Sequence, residues 1–394
     1  MNQSGKNNKE GQITYQFYES IFSVNEQHWN KINNNLYLSI NYLKALETAL
    51  KFQLKFQYIL FYKNNDPVAI ASVQLVKFID KGSKYQEQIC ILTNHIKNKL
   101  IQSLEVGLMV CGNVFCCGEN GFIYSNELTD EEAYLSLNSA LKELRKQEES
   151  TWKSSVILLK EFWPDNFKRS DQLKKDDFRD FMIDVNMILQ IHPSWKNLDD
   201  YLMSMTAKFR TKAKSVEKKS AKLVRKELNV EEILLHQARI EELYHFVVDK
   251  SEYSIGELNG QAFVNFKQLL NEQFILTGYF LDEQLIGFSS AFWFNNILDA
   301  NYVGIDYDYN IDYSLYQRML YDLVEVAVNK NVTELRFGRT AEEVKSCLGA
   351  VPTDMKLYVK HKNSVKNKLL KPIVKTISPS DFELRNPFKA NFAF

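Results

Sequence analysis

One arrangement of apolar and polar residues occurs twice in this chain, and it restricts the fold more than any other feature. Residues 56–62 form an apolar run, 63–67 a polar turn and 68–78 a second apolar run; 274–281, 282–284 and 285–294 repeat the series. At a constant offset of 217, Tyr62 meets Tyr279, Asp66 meets Glu283, Val68 meets Leu285 and Ser72 meets Ser289. Apolar runs bounded by turn residues read as β-hairpins. Each hairpin follows a stretch with apolar residues at threes and fours, 39–50 and 261–273, the period of an amphipathic helix. Each precedes a long amphipathic helix: 130–148, with Thr129 as N-cap and Glu131 and Glu132 in the first turn, and 313–329, with Asp312 as cap. A short strand closes each series, at 155–159 and 333–337. The expected fold class is therefore α/β, with two tandem copies of one domain, each a mixed central sheet with flanking helices.

Length permits this, since 394 residues at ~100–200 per domain make two or three compact units. The charge-dense stretch 168–180, punctuated by Pro164 and Pro193, places the boundary between Trp163 and Trp195. The expected division is a disordered tail over 1–12, an N-terminal domain over 13–185, a C-terminal domain over 186–360 and a basic tail over 361–394. The longest nearly uncharged apolar stretch, 107–118, is shorter than the ~20 residues that cross a bilayer. Residues 1–10 lack the apolar core of a signal peptide, which points to the cytoplasm. Five cysteines, Cys90, Cys111, Cys116, Cys117 and Cys347, fit reduced thiols better than a disulfide framework. The histidines are scattered; His236 and His245, nine apart, have no cysteine near them, so neither a zinc site nor a nucleophile triad is read here.

Between Lys208 and Lys226 there are nine basic residues and one acid, Glu217, on a chain whose net charge is zero. Leu202, Met205, Phe209, Ala213, Val216 and Leu223 recur as one helix face, so the charge is concentrated on the other. A solvated surface helix usually alternates sign, and this one does not. The sharper reading is an anionic partner: the phosphates of a nucleotide-bearing cofactor, an RNA or a lipid surface. No sequence-specific nucleic-acid module accompanies the helix, and DNA is not expected as a partner.

Three segments resemble the Fem-like and CelD-like branch of the GNAT acyltransferase superfamily, whose members often carry two GNAT domains in tandem. Residues 201–210, ending in Lys208-Phe209-Arg210 and running into the basic helix, are the first. Residues 302–306 followed by 313–320 resemble its strand, polar loop and helix; 335–345 with Leu348-Gly349 resemble its closing strand and the glycine, lysine, glycine series after it. The first half is covered only by its hairpin and by 111–121. The resemblance implies two adjacent parallel strands that part, offering unpaired backbone to an acyl donor as an added strand would, and a following helix whose N-terminus faces a pyrophosphate. On this sequence those roles fall to Asn301, Val303, Tyr313, Ser314 and Arg318 as the cofactor-binding set, and to Asp299, Tyr302 and Asp306 as catalytic acids or bases. Lys208, Arg210, Lys218, Arg339 and Lys345 would hold substrate or an anion. As plain structure, Asp299 and Asp306 are strand-end polar groups, Tyr302 is a core aromatic, and Arg339 with Lys345 forms surface pairs with Glu342 and Glu343.

The sequence departs from the superfamily at the phosphate loop. Between Ile305 and Gln317 there is no glycine, and Tyr307, Tyr309 and Tyr313 crowd the position where backbone should approach a pyrophosphate. The Fem branch departs in the same way, with an aminoacyl-tRNA as donor. Cys111, Cys116 and Cys117 read as small buried hydrophobes or, with a suitable neighbour, as a nucleophile. Gly112, Gly118 and Gly121 read as tight turns or as a first-domain cofactor loop. The tail beyond Tyr358 carries Lys360, Lys362, Lys366, Lys368, Lys371 and Lys375 with an apolar side, and either packs back or lies on an anionic membrane face. The function expected is N-acyl transfer to an amino group of a small or cell-envelope-related, lipid-linked acceptor. Acetyl-CoA or another acyl-CoA is the favoured donor, with aminoacyl-tRNA second, and no metal. The alternative is a non-catalytic GNAT-like protein that binds an anionic glycan or lipid-linked precursor.

Overall fold

The computed structural model describes residues 11–76, 107–148, 153–250, 256–377, 379 and 381–392. Cys90, His95, the end of the first hairpin beyond Val76 and all but Gly11 and Gln12 of the expected tail lie outside them. In chain order the strands are β1 (Ile13–Tyr18), β2 (Lys55–Lys63), β3 (Asp66–Val76), β4 (Gly107–Cys111), β5 (Phe122–Tyr124), β6 (Ser154–Phe162), β7 (Arg179–Gln190), β8 (Val224–Glu227), β9 (Phe274–Leu281), β10 (Gln284–Phe294), β11 (Ile297–Ile305), β12 (Glu334–Arg336) and β13 (Val351–His361). The helices are α1 (Glu26–Ile32), α2 (Ile40–Leu50), α3 (Asp130–Gln147), α4 (Phe167–Ser170), α5 (Leu198–Ser204), α6 (Ala207–Lys219) and α7 (Val230–Leu235). They continue with α8 (Gln237–Val248), α9 (Gly260–Leu270), α10 (Tyr307–Tyr313), α11 (Leu315–Asn329), α12 (Glu342–Ser346) and α13 (Ser364–Val374).

Both repeated hairpins form, and their turns follow from residue type. Asn64-Asn65 and Asp282-Glu283 all have positive φ, as does Asn295-Asn296 between β10 and β11. A two-residue turn with both central residues left-handed matches strand twist, and Asn and Asp tolerate that conformation best after glycine. The structure corrects the alignment of the repeats by one residue. Phe61 faces Ala69 and Tyr62 faces Pro67 across a bulge; Tyr279 faces Gly287 and Phe280 faces Leu285 across the same bulge. The equivalence is therefore 218, not 217, and because side chains alternate between faces the slip matters. Phe61 and Tyr279 are both fully buried, whereas Tyr62 and Phe280 are half-buried.

All thirteen strands belong to one sheet, in the order β1-β2-β3-β4-β6-β13-β7-β12-β11-β10-β9-β8, with β5 also on β3. The order is symmetric about β13 and β7, and those two strands are exchanged. β13, which closes the second half in sequence, pairs with β6 of the first; β7, which follows β6, pairs with β12 of the second; and the two pair with each other. The expected boundary between residues 185 and 186 thus falls inside β7. Helices α1, α2, α7, α8, α9 and α13 pack on one face, while α3 over the first half and α5, α6 and α11 over the second cover the other.

Two expected helices are revised. The basic stretch divides at Met205 and Thr206 into α5 and α6, and residues 224–227 form edge strand β8, so Leu223 is not on the helical face. The second long helix begins at Leu315 rather than 313. Residues 307–313 form α10, and Ser314 in a left-handed conformation joins the two, so Asp312 caps nothing. Thr129 caps α3 as expected, and Glu132 completes a capping box.

Candidate active site

The second half contains a parted pair of parallel strands. β11 pairs with β12 at only three positions, Ile297↔Glu334, Leu298↔Leu335 and Asp299↔Arg336, but continues to Ile305. Beyond Arg336 the chain follows β7 instead: the N–H of Phe337 donates to the Met187 carbonyl and the N–H of Met187 to the Gly338 carbonyl. Among the described residues, the edge of β11 from 300 to 305 is thereby left without a strand on that side. On its other side a bulge sets two residues, Asn301 and Tyr302, against Ser290 of β10. The Ser290 hydroxyl donates to the Tyr302 carbonyl at 3.0 Å and accepts its N–H at 3.1 Å. A bulge re-aims the side chains after it, and here it turns Asn301 and Tyr302 toward the first half, where Asp299 also points.

The first half marks the equivalent place with a much larger excursion. Ser72 lies 218 residues before Ser290. Its carbonyl accepts from the Gly112 N–H and its own N–H donates to the Gly121 carbonyl, so residues 113–120 leave the sheet where the second half spends two residues. A Cβ at Gly121 would lie 2.6 Å from backbone atoms of Cys111 and Gly112, which requires glycine. The excursion reaches the second half. Tyr302 donates its hydroxyl to the Phe115 carbonyl at 2.7 Å, and Arg339 Nε donates to Cys117 Sγ at 3.3 Å. Lys160 and Glu161 hold the loop from below, through the Cys116 carbonyl at 2.6 Å and the Gly118 N–H at 2.8 Å.

Charged groups collect at this junction. Glu161, buried, pairs with Lys160 and with Arg339 at 2.8 Å each, and Arg339 also approaches Asp184 at 3.6 Å. Lys345, only 4% exposed, has no carboxylate partner among the described residues. Its Nζ donates to the Gly338 carbonyl at 3.3 Å and the Arg339 carbonyl at 2.5 Å. An ammonium has three protons, so one remains for a ligand. Burial pushes Lys345 down to about 8, against the pull of Cys117 and Glu342. Asp299, 1% exposed at the last paired position, accepts a 2.5 Å hydrogen bond from the Tyr37 hydroxyl, while its Oδ1 has no hydrogen-bond partner among the described residues. Burial pushes Asp299 up to about 6, opposed mainly by Arg336.

Of the residues expected at a site, Asp299, Asn301, Tyr302, Arg339 and Lys345 come together. Asn301 donates to the Tyr37 hydroxyl at 2.8 Å. Tyr302 is a packed ring whose phenol burial drives well above its ordinary range, so it is a donor and not a base. The others are placed elsewhere or are already engaged. Asp306 accepts from the Asp308 N–H at the start of α10 and from Arg239 at 2.6 Å. Arg318 is held by Asp322 at 2.8 Å and reaches Ser220. Val303 is half-buried beyond the bulge, the Tyr313 ring lies tilted against that of Tyr309 at 6.3 Å, and Ser314 is the left-handed joint. Lys208 and Lys218 are exposed on α6, and Arg210 donates to the Met205 carbonyl. Glu343 pairs with Arg385 at 2.6 Å and Arg339 with Glu161, while Glu342 acts on the buried Lys345 without an ion pair to it among the described residues. Tyr37 and Glu161 were not singled out from the sequence, and Cys117 only as a small apolar residue or a thiol, because each gains its role from a partner on a distant segment. A separate cavity of about 220 Å³, lined by Arg225, Thr277, Tyr279, Ser289 and Asp322, lies under α11 on the opposite face.

No family model matches this sequence, and no curated protein matches it. Solved structures do. FemX is similar with a TM-score of 0.57 at 12% identity, over 91% of this chain and 100% of that one. L-PGS from Bacillus licheniformis is similar with a TM-score of 0.50 at 9% identity, over 89% of this chain and 95% of that one. A tandem GNAT protein from the clavulanic acid biosynthesis pathway aligns with a TM-score of 0.49 at 11% identity, over 94% and 100%. At such identities the likeness is one of fold: this chain shares the fold of FemX and of L-PGS.

Proposed function

We propose that this protein transfers an acyl or aminoacyl group from an activated ester or thioester to an amine, at the point where β11 and β12 part. The observation that carries the reading is Lys345, a buried ammonium with no ion pair among the described residues and one proton unused, held on the Gly338 and Arg339 carbonyls just past the point where β12 leaves β11. Attack of an amine on a carbonyl places negative charge on the carbonyl oxygen. A preorganised cation in a dry site stabilises that oxyanion far better than water does. Asp299, ionised above about pH 6, would take the proton that the attacking amine sheds and return it to the donor's oxygen or sulfur as the tetrahedral intermediate collapses, breaking the ester or thioester bond and releasing the alcohol or thiol. The edge from 300 to 305 would align one substrate as an added strand.

The donor best supported is an aminoacyl-tRNA. A pyrophosphate needs free N–H groups and an uncompensated positive helix end. Here Asp306 already places a carboxylate at the start of α10, Asn310 takes the Tyr316 N–H in the first turn of α11, and Arg318 is neutralised. Helix α6, which packs on α10 and α11, exposes Lys208, Lys212, Lys214, Lys218 and Lys219, a row suited to many phosphates. The acceptor is assigned only as an amine, small or cell-envelope-related.

The test is transfer of a radiolabelled aminoacyl group from charged total tRNA, run beside acetyl-CoA, with an amino-sugar and aminoacyl-lipid acceptor panel. Lys345→Met is expected to lower kcat at least ~100-fold with little change in KM, the loss typical of one oxyanion donor. Full activity in that variant would overturn the mechanism. Lys218→Glu with Lys219→Glu is expected to weaken tRNA and leave acetyl-CoA unaffected. Thermal shifts with tRNA or precursor but no transfer from either donor would instead support the binding-protein reading, which the glycine-free loop favours.

A further inference from the structure

We infer that the outward face of α13 is a docking surface for an anionic lipid bilayer. The helix is fixed to the protein by one side only. Asn363 caps it through the Lys366 N–H; Asn367 accepts from the His361 N–H at 2.9 Å and donates to the Asp177 carbonyl at 2.8 Å. Val374 is buried, and Leu370 and Ile377 pack on the same core. These contacts hold the opposite side outward in a defined orientation.

What that side presents is unusual for a surface merely in contact with water. Val365 is 69% exposed and Leu369 51%, and with Pro372 they recur at four and three, a single apolar stripe. Lys368 and Lys375 border the stripe on one side and Lys366 on the other. From Lys362 to Lys375 there are five lysines and no acid. None of the five has an ion pair among the described residues. Of the acids at this end of the fold, Asp176 pairs with Lys142 and Asp177 with Arg179, and Glu148, which feels Lys362, is hydrogen-bonded by Ser154. An apolar stripe flanked by unneutralised lysines is complementary to the boundary between acyl chains and anionic headgroups: the stripe enters the boundary while the lysine stems reach back to phosphates. A soluble polyanion would use the lysines but has no use for Val365 and Leu369. The inference does not depend on the transfer reaction.

Co-sedimentation of the full chain with vesicles tests it. Binding is expected to vesicles of phosphatidylglycerol and phosphatidylcholine in equal parts, to be weak on phosphatidylcholine alone, and to fall with salt. Lys368→Gln with Lys371→Gln should weaken it by about tenfold or more, at a few-fold per lysine. Val365→Ser with Leu369→Ser should weaken it comparably; both residues are exposed, so an unchanged melting temperature certifies the fold. No binding to anionic vesicles overturns the proposal. So does a lysine variant that loses binding beside an apolar variant that keeps it, because that pattern describes a polyanion site and not a bilayer surface.

Discussion

At the scale of the residue, the junction holds ionisable groups in environments that disfavour their charge, and this makes pH the sharpest probe. Burial raises Asp299 from 3.8 to about 6, so it is the ionised form that the fold penalises. The penalty is absent below about pH 4, grows as pH rises to 6 and is complete above it, where it amounts to about 3 kcal/mol. Asp299→Asn is therefore expected to raise the melting temperature at pH 7.5 and to lose that advantage at pH 4.5; equal effects at both would show that Asp299 is not desolvated. The same variant should lose activity, since the proton acceptor is gone. Lys345, lowered to about 8, must keep its proton to face an oxyanion, so kcat should fall as pH rises through 8 and, with Asp299, as pH drops through 6. Lys345→Arg should carry the alkaline limb out of range while the acid limb stays. Neither value was legible in the sequence. Asp299 and Lys345 were marked only through the family resemblance, and what shifts them is burial, against which Tyr37 and Cys117 from the other half pull.

At the scale of the element, local chemistry explains most of what forms. The capping box at Thr129 and the left-handed Asn and Asp turns involve residues within a few positions of one another, and all were readable. Thr129→Ala should cost about 1 kcal/mol and leave transfer rates unchanged, which urea denaturation with a parallel assay would check. The bulge on β11 is different. Ser290→Ala removes the hydroxyl that serves both the N–H and the carbonyl of Tyr302 in a buried setting. A cost of about 2 kcal/mol is expected, with a drop in kcat because Asn301 and Tyr302 lose their aim. A stability loss with full activity would separate the bulge from the site. The break between α10 and α11 was missed because Ser314 adopts a conformation that its residue type does not advertise.

At the scale of the molecule, the exchange of β7 and β13 binds the halves into one body. Each half's sheet is completed by a strand of the other, so neither should fold alone. Separate expression of residues 11–178 and 191–350, which removes both exchanged strands, should give insoluble chains. The whole protein should melt in a single calorimetric transition whose van't Hoff and calorimetric enthalpies agree. Two resolved transitions would mean that the exchange contributes little to cooperativity. The boundary expected at 185/186 illustrates the reason: charge and proline mark where a chain is exposed, not which sheet a strand joins.

By itself the sequence determined that a hairpin occurs twice, that Thr129 caps α3, and that α6 and the tail carry lopsided charge. All of these are set by interactions between residues a few positions apart, or by residue type alone. Only the tertiary structure decided that β7 and β13 change places, that Arg318 is held by Asp322, that the cysteine-bearing loop crosses to the second half, and that Lys345 is buried with no ion pair among the described residues. Those outcomes depend on contacts between segments far apart in the chain, where the competing partners for a charge are not visible until the sheet has closed around it.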